Sequence, residues 1–364
     1  MTATPASAET GIGALAASSL ARRPRVRLSW VAVGVLAVGA SGLAGLTIGA
    51  VSMPSLRVLA EVVDHLPWIH VRSGLTAQQA TIVWELRLPR VVLAMLVGGM
   101  LAMSGASFQG SFRNPLADPY LLGAAAGAGL GATIAVVSGI VSDLDTGGAI
   151  PLFAFAGALG AVFLAYALSS VGAVDRSPAV LLLAGVAVAA FLTALQTFLL
   201  QQHADSIRVV YTWMLGHLTT AGWHEVTSTL PYALAAGVVL LSQRRALDVL
   251  SVGDDEAAAL GLDVRRSRFL IVVAAALATA AAVSVSGLIG FVGLVVPHTV
   301  RLVVGSSYRV ILPLSILFGA AFLTLADIIA RTVLAPSEIP IGVVTAVAGA
   351  PFFALLLRSR RRFA

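Results

Sequence analysis

The chain has 364 residues, of which 58% are hydrophobic and 11% are charged, and its formal net charge is +6. A soluble domain carries roughly a quarter charged residues, so this composition excludes a soluble globular protein. Cysteine is absent, and all 23 basic residues are arginine. These absences exclude thiolate nucleophiles, cysteine-ligated metal clusters, a Schiff-base lysine and the lysine of a phosphate-binding loop.

Apolar runs of membrane-spanning length recur along the chain, whose mean hydropathy is +0.95. Because backbone polar groups cannot stay unpaired in lipid, these runs predict transmembrane helices. Residues 1–27 predict a disordered cytoplasmic tail. Its basic end and the run that follows also resemble a signal peptide, but the run is long enough to span and no clear cleavage site ends it. We therefore predict one all-α polytopic domain over 28–364, with about ten spans near 28–51, 91–109, 121–141, 150–171, 179–200, 226–242, 269–286, 288–304, 310–334 and 339–357.

The distribution of arginines indicates an orientation. Ten spans place both termini on the same side of the membrane, and with that side cytoplasmic, 17 arginines lie inside and six outside. This excess agrees with the positive-inside rule. The arginines lie in short loops beside apolar helices, so topology explains the basic charge better than a nucleic-acid partner does.

Two connecting segments hold prolines and glycines that predict defined backbone geometry. Residues 108–123 contain two prolines, and Asn114 and Asp118 stand at a membrane boundary, where a well-capped turn is the plainer interpretation. Residues 285–301 contain three spaced glycines and Pro297, which predict a broken helix of the kind found at transport sites.

A third segment, the loop at about 244–268, predicts a short cytoplasmic helix. Asp254 can cap its start, Glu256 is favoured near the positive end of the helix dipole, and Gly261 can end it. Ala257 to Ala259 and Leu260 then offer a small, partly apolar surface that could fit a groove on a partner. A plain amphipathic connector is the alternative.

Six motifs together resemble the FecCD family, the permeases of ABC importers for ferric siderophores, haem and vitamin B12. The resemblance runs from about residue 83 to the C-terminus, in order and at the expected spacing. The motifs are Arg87-Leu-Pro-Arg90, Arg113-Asn-Pro-Leu-Ala-Asp-Pro-Tyr-Leu-Leu-Gly123, Gly253-Asp-Asp-Glu-Ala-Ala-Ala-Leu-Gly261, Gly290-Phe-Val-Gly-Leu-Val-Val-Pro-His298, Ala326-Asp-Ile-Ile-Ala-Arg331, and Glu338-Ile-Pro-Ile-Gly-Val-Val-Thr345 with Gly349-Ala-Pro351.

The resemblance implies a ten-helix permease of the type II ABC importer fold in the bacterial inner membrane. Such permeases form homodimers around a central translocation path. Two separate ATPase subunits bind ATP and Mg²⁺ on the cytoplasmic side, and a periplasmic binding protein delivers the substrate. The absence of lysine agrees with ATP hydrolysis on another chain. No catalytic residue, metal site or permanently bound cofactor is expected in this one.

The resemblance also implies roles for particular residues. The helix with Asp254, Glu256, Ala258, Leu260 and Gly261 would couple to the ATPase. Three arginines match family arginines that pair with glutamates of the binding protein, and snorkelling to lipid headgroups is the alternative for them: Arg87, Arg90 and Arg331. Three positions match the cytoplasmic constriction of the path, the last with neighbours that depart from the family pattern: Asn114, Leu116 and Ser177.

The outer loop after the fifth predicted span favours haem as the substrate. Imidazole and phenolate can ligate haem iron, and arginine can pair with a propionate; the candidate contacts are His203, Arg208, Tyr211 and His217. A ferric siderophore and cobalamin remain the second and third alternatives, and each histidine alone is more often an interfacial residue.

The rival class is an ion-coupled secondary transporter. Such transporters usually need ionisable residues near the middle of the membrane, and here Asp327 is the chief exception among apolar spans. An intramembrane enzyme is disfavoured because the spans lack paired aspartates, a Ser/His pairing and metal-ligand spacing.

Overall fold

The computed structural model describes residues 28–49, 53–65, 71, 73–140, 148–170, 178–219 and 221–360; the predicted tail at 1–27 lies outside them. In this described part the fold is all α, as predicted. Its α-helices are α1 (Leu28–Thr47), α2 (Ser55–Asp64), α3 (Ala77–Ser111), α4 (Ala124–Val137), α5 (Ala149–Ser170), α6 (Pro178–Gln202), α7 (Ile207–Met214), α8 (Trp223–Ser242), α9 (Arg244–Leu250), α10 (Asp254–Ala259), α11 (Val264–Ser286), α12 (Val292–Val304), α13 (Tyr308–Thr332) and α14 (Ile341–Arg360).

Ten of these helices fall on the ten predicted spans. Seven are long and apolar enough to cross a membrane, namely α1, α3, α5, α6, α8, α11 and α13. The other three are shorter apolar helices, namely α4, α12 and the part of α14 at Ile341–Ala354. The predicted number of spans therefore agrees with the structure, although several boundaries differ.

The largest difference is at α3, where the predicted span 91–109 is only the inner part of a 35-residue helix that begins at Ala77. Thr76 and Gln79 form a capping box at its start, which satisfies free N–H groups of the first turn. Residues 82–87 widen into a π-helix just before Pro89. Proline has no N–H to donate to the carbonyl four residues earlier, so a local departure from regular α-geometry is expected there.

Helix α3 is the centre of the molecule and packs against α8, α11, α12 and α13. Glycines bring its backbone into contact with two of these neighbours. A Cβ atom at Gly98 would overlap the carbonyl oxygen of Gly319 on α13, and one at Gly105 would overlap that of Gly293 on α12. Such close approach suits membrane helices, which lack a hydrophobic driving force between them and associate by close packing.

Two of the short helices are completed by irregular backbone. Helices α4 and α12 have 14 and 13 residues, about 20 Å at 1.5 Å per residue, which is less than the hydrocarbon thickness. The irregular segments 112–123 and 287–291 precede them. The Tyr120 hydroxyl bonds both backbone groups of Ile289, at 3.0 Å to its oxygen and 3.2 Å to its nitrogen. Irregular backbone is tolerated at membrane depth only where protein covers it, as here. The predicted break within 285–301 is confirmed.

The contact between α3 and α12 gives a test of the packing. We expect Gly105→Ala to destabilise the fold by about 1–3 kcal/mol, because the added methyl forces two backbones apart. Gly160→Ala on α5 is the matched control, since a Cβ there meets no atom within 4 Å. The apparent melting temperature in detergent should fall for the first variant and stay near the parent value for the second; equal melting temperatures would contradict the packing.

Candidate functional site

The predicted coupling helix exists as α10, between α9 and α11. Gly253, at φ 156°, precedes it, and a Schellman turn ends it. In that turn the N–H of Gly261 (φ 83°) donates to Ala258 O at 2.9 Å, and the N–H of Leu262 donates to Ala257 O at 3.0 Å. The predicted end at Gly261 is confirmed.

The predicted cap at Asp254 is wrong, because its carboxylate turns to α11 instead of the helix start. The guanidinium of Arg268 donates two hydrogen bonds to it, at 2.9 and 2.7 Å, and Arg113 lies 3.7 Å away. These hydrogen bonds from Arg268 are the main cause that lowers the pKa of Asp254. Since the folded pKa is depressed, the stabilisation from this pair is present above the ordinary pKa of about 4 and is lost as pH falls through the folded one.

The outward surface of α10 matches the predicted one except at Ala257, where the prediction is wrong. Ala257 is fully buried beneath the helix, whereas Glu256 and Ala258 are exposed and Leu260 has 71% of its surface exposed. Because Ala258 is small and Leu260 is large, apolar and exposed, this surface presents one apolar side chain that a groove on a partner could accept. The structure contains no partner, so the coupling role stays a prediction.

Sequence reasoning missed how this loop is fixed to the spans. Asp248 on α9 accepts hydrogen bonds from the Ser307 hydroxyl at 3.0 Å and the Tyr308 N–H at 2.5 Å, both at the start of α13. The Tyr308 hydroxyl accepts from Arg301 at the end of α12, at 2.7 Å. A carboxylate at a helix N-terminus is favourable. Nothing in the sequence pairs Asp248 with a helix about 60 residues later.

On the other side of the membrane, two of the three predicted docking arginines cap a helix. Arg87 donates to Leu46 O at 2.6 Å and Thr47 O at 3.1 Å, and Arg331 donates to Gly45 O at 2.6 Å. These carbonyls belong to the last turn of α1, which has no intrahelical donors and carries the negative end of the helix dipole. Both arginines therefore have a structural role that the sequence did not predict.

The third, Arg90, is held between two carboxylates. Its Nε and Nη2 atoms bond Asp327 at 2.8–3.2 Å, and its Nη1 and Nη2 atoms bond Glu338 at 2.9 and 2.8 Å. Asp327 also lies 3.5 Å from Arg331. The ionisable residue that most favoured a secondary transporter is thus neutralised inside the chain. We call Arg90, Asp327, Arg331 and Glu338 the outer ion cluster.

Asn114 and Leu116 of the predicted cytoplasmic constriction lie in a turn whose backbone is fixed by side-chain hydrogen bonds. The Asn114 side-chain oxygen accepts the N–H of Leu116 at 2.9 Å, and Asp118 accepts that of Tyr120 at 2.8 Å. Each is an Asx turn, which fixes the backbone. The side chain of Leu116 is exposed. Ser177 lies outside the described residues, so the structure does not place it beside them.

Two of the four candidate haem contacts line one cavity. Arg208 and His217 share a space of about 380 Å³ with Trp213 and Glu225. His203 and Tyr211 are exposed and do not line it. Burial, together with the charge of Arg90, lowers the pKa of His217, which favours the neutral imidazole that ligates metals. No group of three or more histidine and acidic side chains in the described ranges could itself hold a metal ion.

Comparison with known proteins identifies the family. The model of the FecCD transport family matches residues 35–359. The chain belongs to this family.

Relatives of this FecCD permease cover most of its length. The cobalamin import system permease protein BtuC of Halobacterium salinarum is 45% identical over 80% of this chain and 77% of its own. The hemin transport system permease protein HmuU of Yersinia pestis is 40% identical over 77% and 84%. An uncharacterised ABC transporter permease of Bacillus subtilis, YvrB, is 38% identical over 93% and 97%.

A solved structure agrees with the fold of the FecCD permease. An ABC transporter described as of metal-chelate type, in an inward-facing conformation, covers 92% of this chain and 100% of its own with a TM-score of 0.77 and 30% identity. The protein is therefore a multi-pass permease of an ABC importer, a class that has no ATP site of its own. Membership of this family implies a separate ATPase and a substrate-binding protein as partners.

Proposed function

We propose that this permease carries haem from the periplasm to the cytoplasm across the bacterial inner membrane. In this proposal two copies form the path, both termini are cytoplasmic, and two ATPase subunits bind ATP and Mg²⁺. The observation that carries the choice of haem is the cavity that Arg208 and His217 share. A guanidinium pairs with a carboxylate such as a propionate, and a neutral imidazole can ligate iron.

Cobalamin, which the sequence alone ranked third, becomes the second candidate in place of a ferric siderophore. The relative named for cobalamin import shares 45% identity with this chain, against 40% for the relative named for hemin transport. The cavity chemistry favours haem because it offers a cation and an imidazole together, whereas the identities favour cobalamin by a small margin. A ferric siderophore is the third candidate.

The choice of substrate is tested by uptake into proteoliposomes. The permease, its ATPase and candidate binding proteins are assembled, and haem, cyanocobalamin or a ferric siderophore is supplied. We expect haem uptake, which Arg208→Ala and His217→Ala each lower about tenfold, the change that corresponds to ~1.4 kcal/mol. His203→Ala is the matched control, because that exposed histidine does not line the cavity. Uptake of cobalamin without haem would contradict the proposal.

We further propose that α10 inserts into a cleft of the ATPase. Its exposed surface of Glu256, Ala258 and Leu260 supports this role, because the small side chain of Ala258 leaves Leu260 as an accessible apolar contact. The Asp254–Arg268 pair holds α10 against α11, so a force on α10 reaches a membrane-spanning helix.

A bulky charge in this surface tests the coupling role. We expect Ala258→Arg to lower ATP-driven uptake about tenfold or more, because a long cation replaces a methyl group where a close fit is required. Ser306→Arg is the control, since it adds the same charge at an exposed turn outside α10. Substrate uptake is measured together with ATP hydrolysis, and uptake at the parent level by Ala258→Arg would refute the assignment.

The constriction at Asn114, Leu116 and Ser177 remains a proposal. The Asx turns that fix the backbone within 112–123 support it at Asn114 and Leu116. The docking role of Arg87, Arg90 and Arg331 also remains a proposal. The helix-capping bonds of Arg87 and Arg331 mean that reversing either charge would disturb the end of α1. A loss of docking after charge reversal at Arg87 or Arg331 could therefore come from a disturbed fold instead of a lost contact with the binding protein. A different substitution in the outer ion cluster is needed to test docking.

A further inference from the structure

The outer ion cluster contains two carboxylates that share one guanidinium but differ in their surroundings. Asp327 is on α13 with 0% of its side chain exposed, whereas Glu338 lies in the loop between α13 and α14 with 33% exposed. Arg90 between them has 12% of its side chain exposed. The Asp327 side is thus enclosed by protein, and the Glu338 side is reached from the aqueous face.

Removing either carboxylate from Arg90 would have unequal consequences. Separating Asp327 would leave a buried charge without compensation, which is strongly unfavourable. Glu338 can be hydrated when it leaves, and partly exposed ion pairs contribute little net free energy. The pair of Arg90 with Asp327 is therefore permanent, and its pair with Glu338 is exchangeable.

The hydrogen bonds between Glu338 and Arg90 also determine whether a partner can bond the guanidinium at this surface. Both of its carboxylate oxygens bond Arg90, one to Nη1 and one to Nη2. They occupy the Nη1–Nη2 edge of the guanidinium, whereas Asp327 occupies the Nε–Nη2 edge. Bonding of both oxygens to one edge is the bidentate arrangement that an external carboxylate would need. An acidic group of a partner can bond this edge only after Glu338 leaves.

We propose that Glu338 is an internal competitor that occupies Arg90 until a carboxylate of the docking substrate-binding protein replaces it. The inference rests on the proposed docking at the arginines. The exchange replaces one carboxylate by another, so Arg90 remains paired throughout. It also explains how an arginine with little exposed surface can serve as a docking residue.

The exchange has a route to the candidate cavity. Just after Glu338, the N–H groups of Ile341 and Gly342 donate to the carbonyls of Gly216 and Leu215, each at 3.1 Å. Those carbonyls directly precede His217, which lines the cavity. The loop that holds Glu338 therefore continues directly into backbone that is bonded to the segment beside the cavity.

The test measures docking of the substrate-binding protein that supports uptake in the proteoliposome assay. The permease and its ATPase are placed together in lipid nanodiscs, and the dissociation constant of that binding protein is determined. We expect Glu338→Gln to lower Kd about two- to fivefold, the range that corresponds to loss of one partly exposed competing ion pair. Glu338→Asp, which keeps the charge, should stay near the parent value.

Glu85→Gln is the matched control. Glu85 is an exposed acid on the outer π-helical part of α3, five residues from Arg90, so its removal changes surface charge by the same amount outside the cluster. Tighter binding by Glu338→Gln alone supports competition. An unchanged or weaker affinity, or an equal gain for Glu85→Gln, overturns it. If the parent protein supports uptake yet does not bind the binding protein, the proposed docking fails and the competition with it.

Glu338→Ala is a second variant, because the glutamine of Glu338→Gln could still accept a hydrogen bond from Arg90, whereas alanine cannot. We expect it to bind at least as tightly as Glu338→Gln. Its melting temperature should stay near that of the parent, because the Arg90–Asp327 pair remains. A folded Glu338→Ala variant with the parent Kd would also overturn the inference.

Discussion

The close approach of α3 to α12 and α13 is the constraint on which the other features depend. It is possible because Gly98, Gly105, Gly293 and Gly319 have no side chains to separate the backbones. With α3 fixed against α13, Arg90 on one helix reaches Asp327 on the other. With α3 fixed against α12, Gln109 bonds the carbonyl of Gly293 at 3.2 Å. The close packing at these glycines thus brings polar groups into bonded pairs, whereas lipid would not tolerate the same groups unpaired.

Two sets of polar contacts then join loops on opposite sides of the membrane to α13 and to the helices beside it. On one side, Asp248 and Asp254 fix α9 and α10 to α13 and α11. On the other, Arg90 connects α3 and α13 to the loop that holds Glu338. A displacement of the α9–α10 segment would therefore be transmitted through Asp248 to α13, which also holds Asp327 and Arg331 of the outer ion cluster. The neutralised Asp327 argues against ion coupling, because its charge is already bound within the chain.

Much of this arrangement follows from local sequence patterns. Apolar length predicted the spans, three glycines and Pro297 predicted the break before α12, and Gly261 predicted the end of α10. The start of α3 at Ala77 did not follow from hydropathy, since Gln78, Gln79 and Glu85 interrupt the apolar pattern, although the Thr76–Gln79 capping box was a usable signal. The partners of Arg87 and Arg331 could not be predicted, because they are backbone carbonyls, which every residue has. Their proximity to Arg87 and Arg331 depends on packing between distant segments.

We propose that ATP hydrolysis on a separate subunit drives substrate through this permease. The most direct measurement is substrate accumulation in proteoliposomes that contain the permease with its binding protein, with and without the ATPase subunit. Accumulation should require the ATPase and ATP together, and it should continue when proton and sodium gradients are collapsed. Accumulation by the permease without the ATPase, abolished when those gradients are collapsed, would contradict the claim.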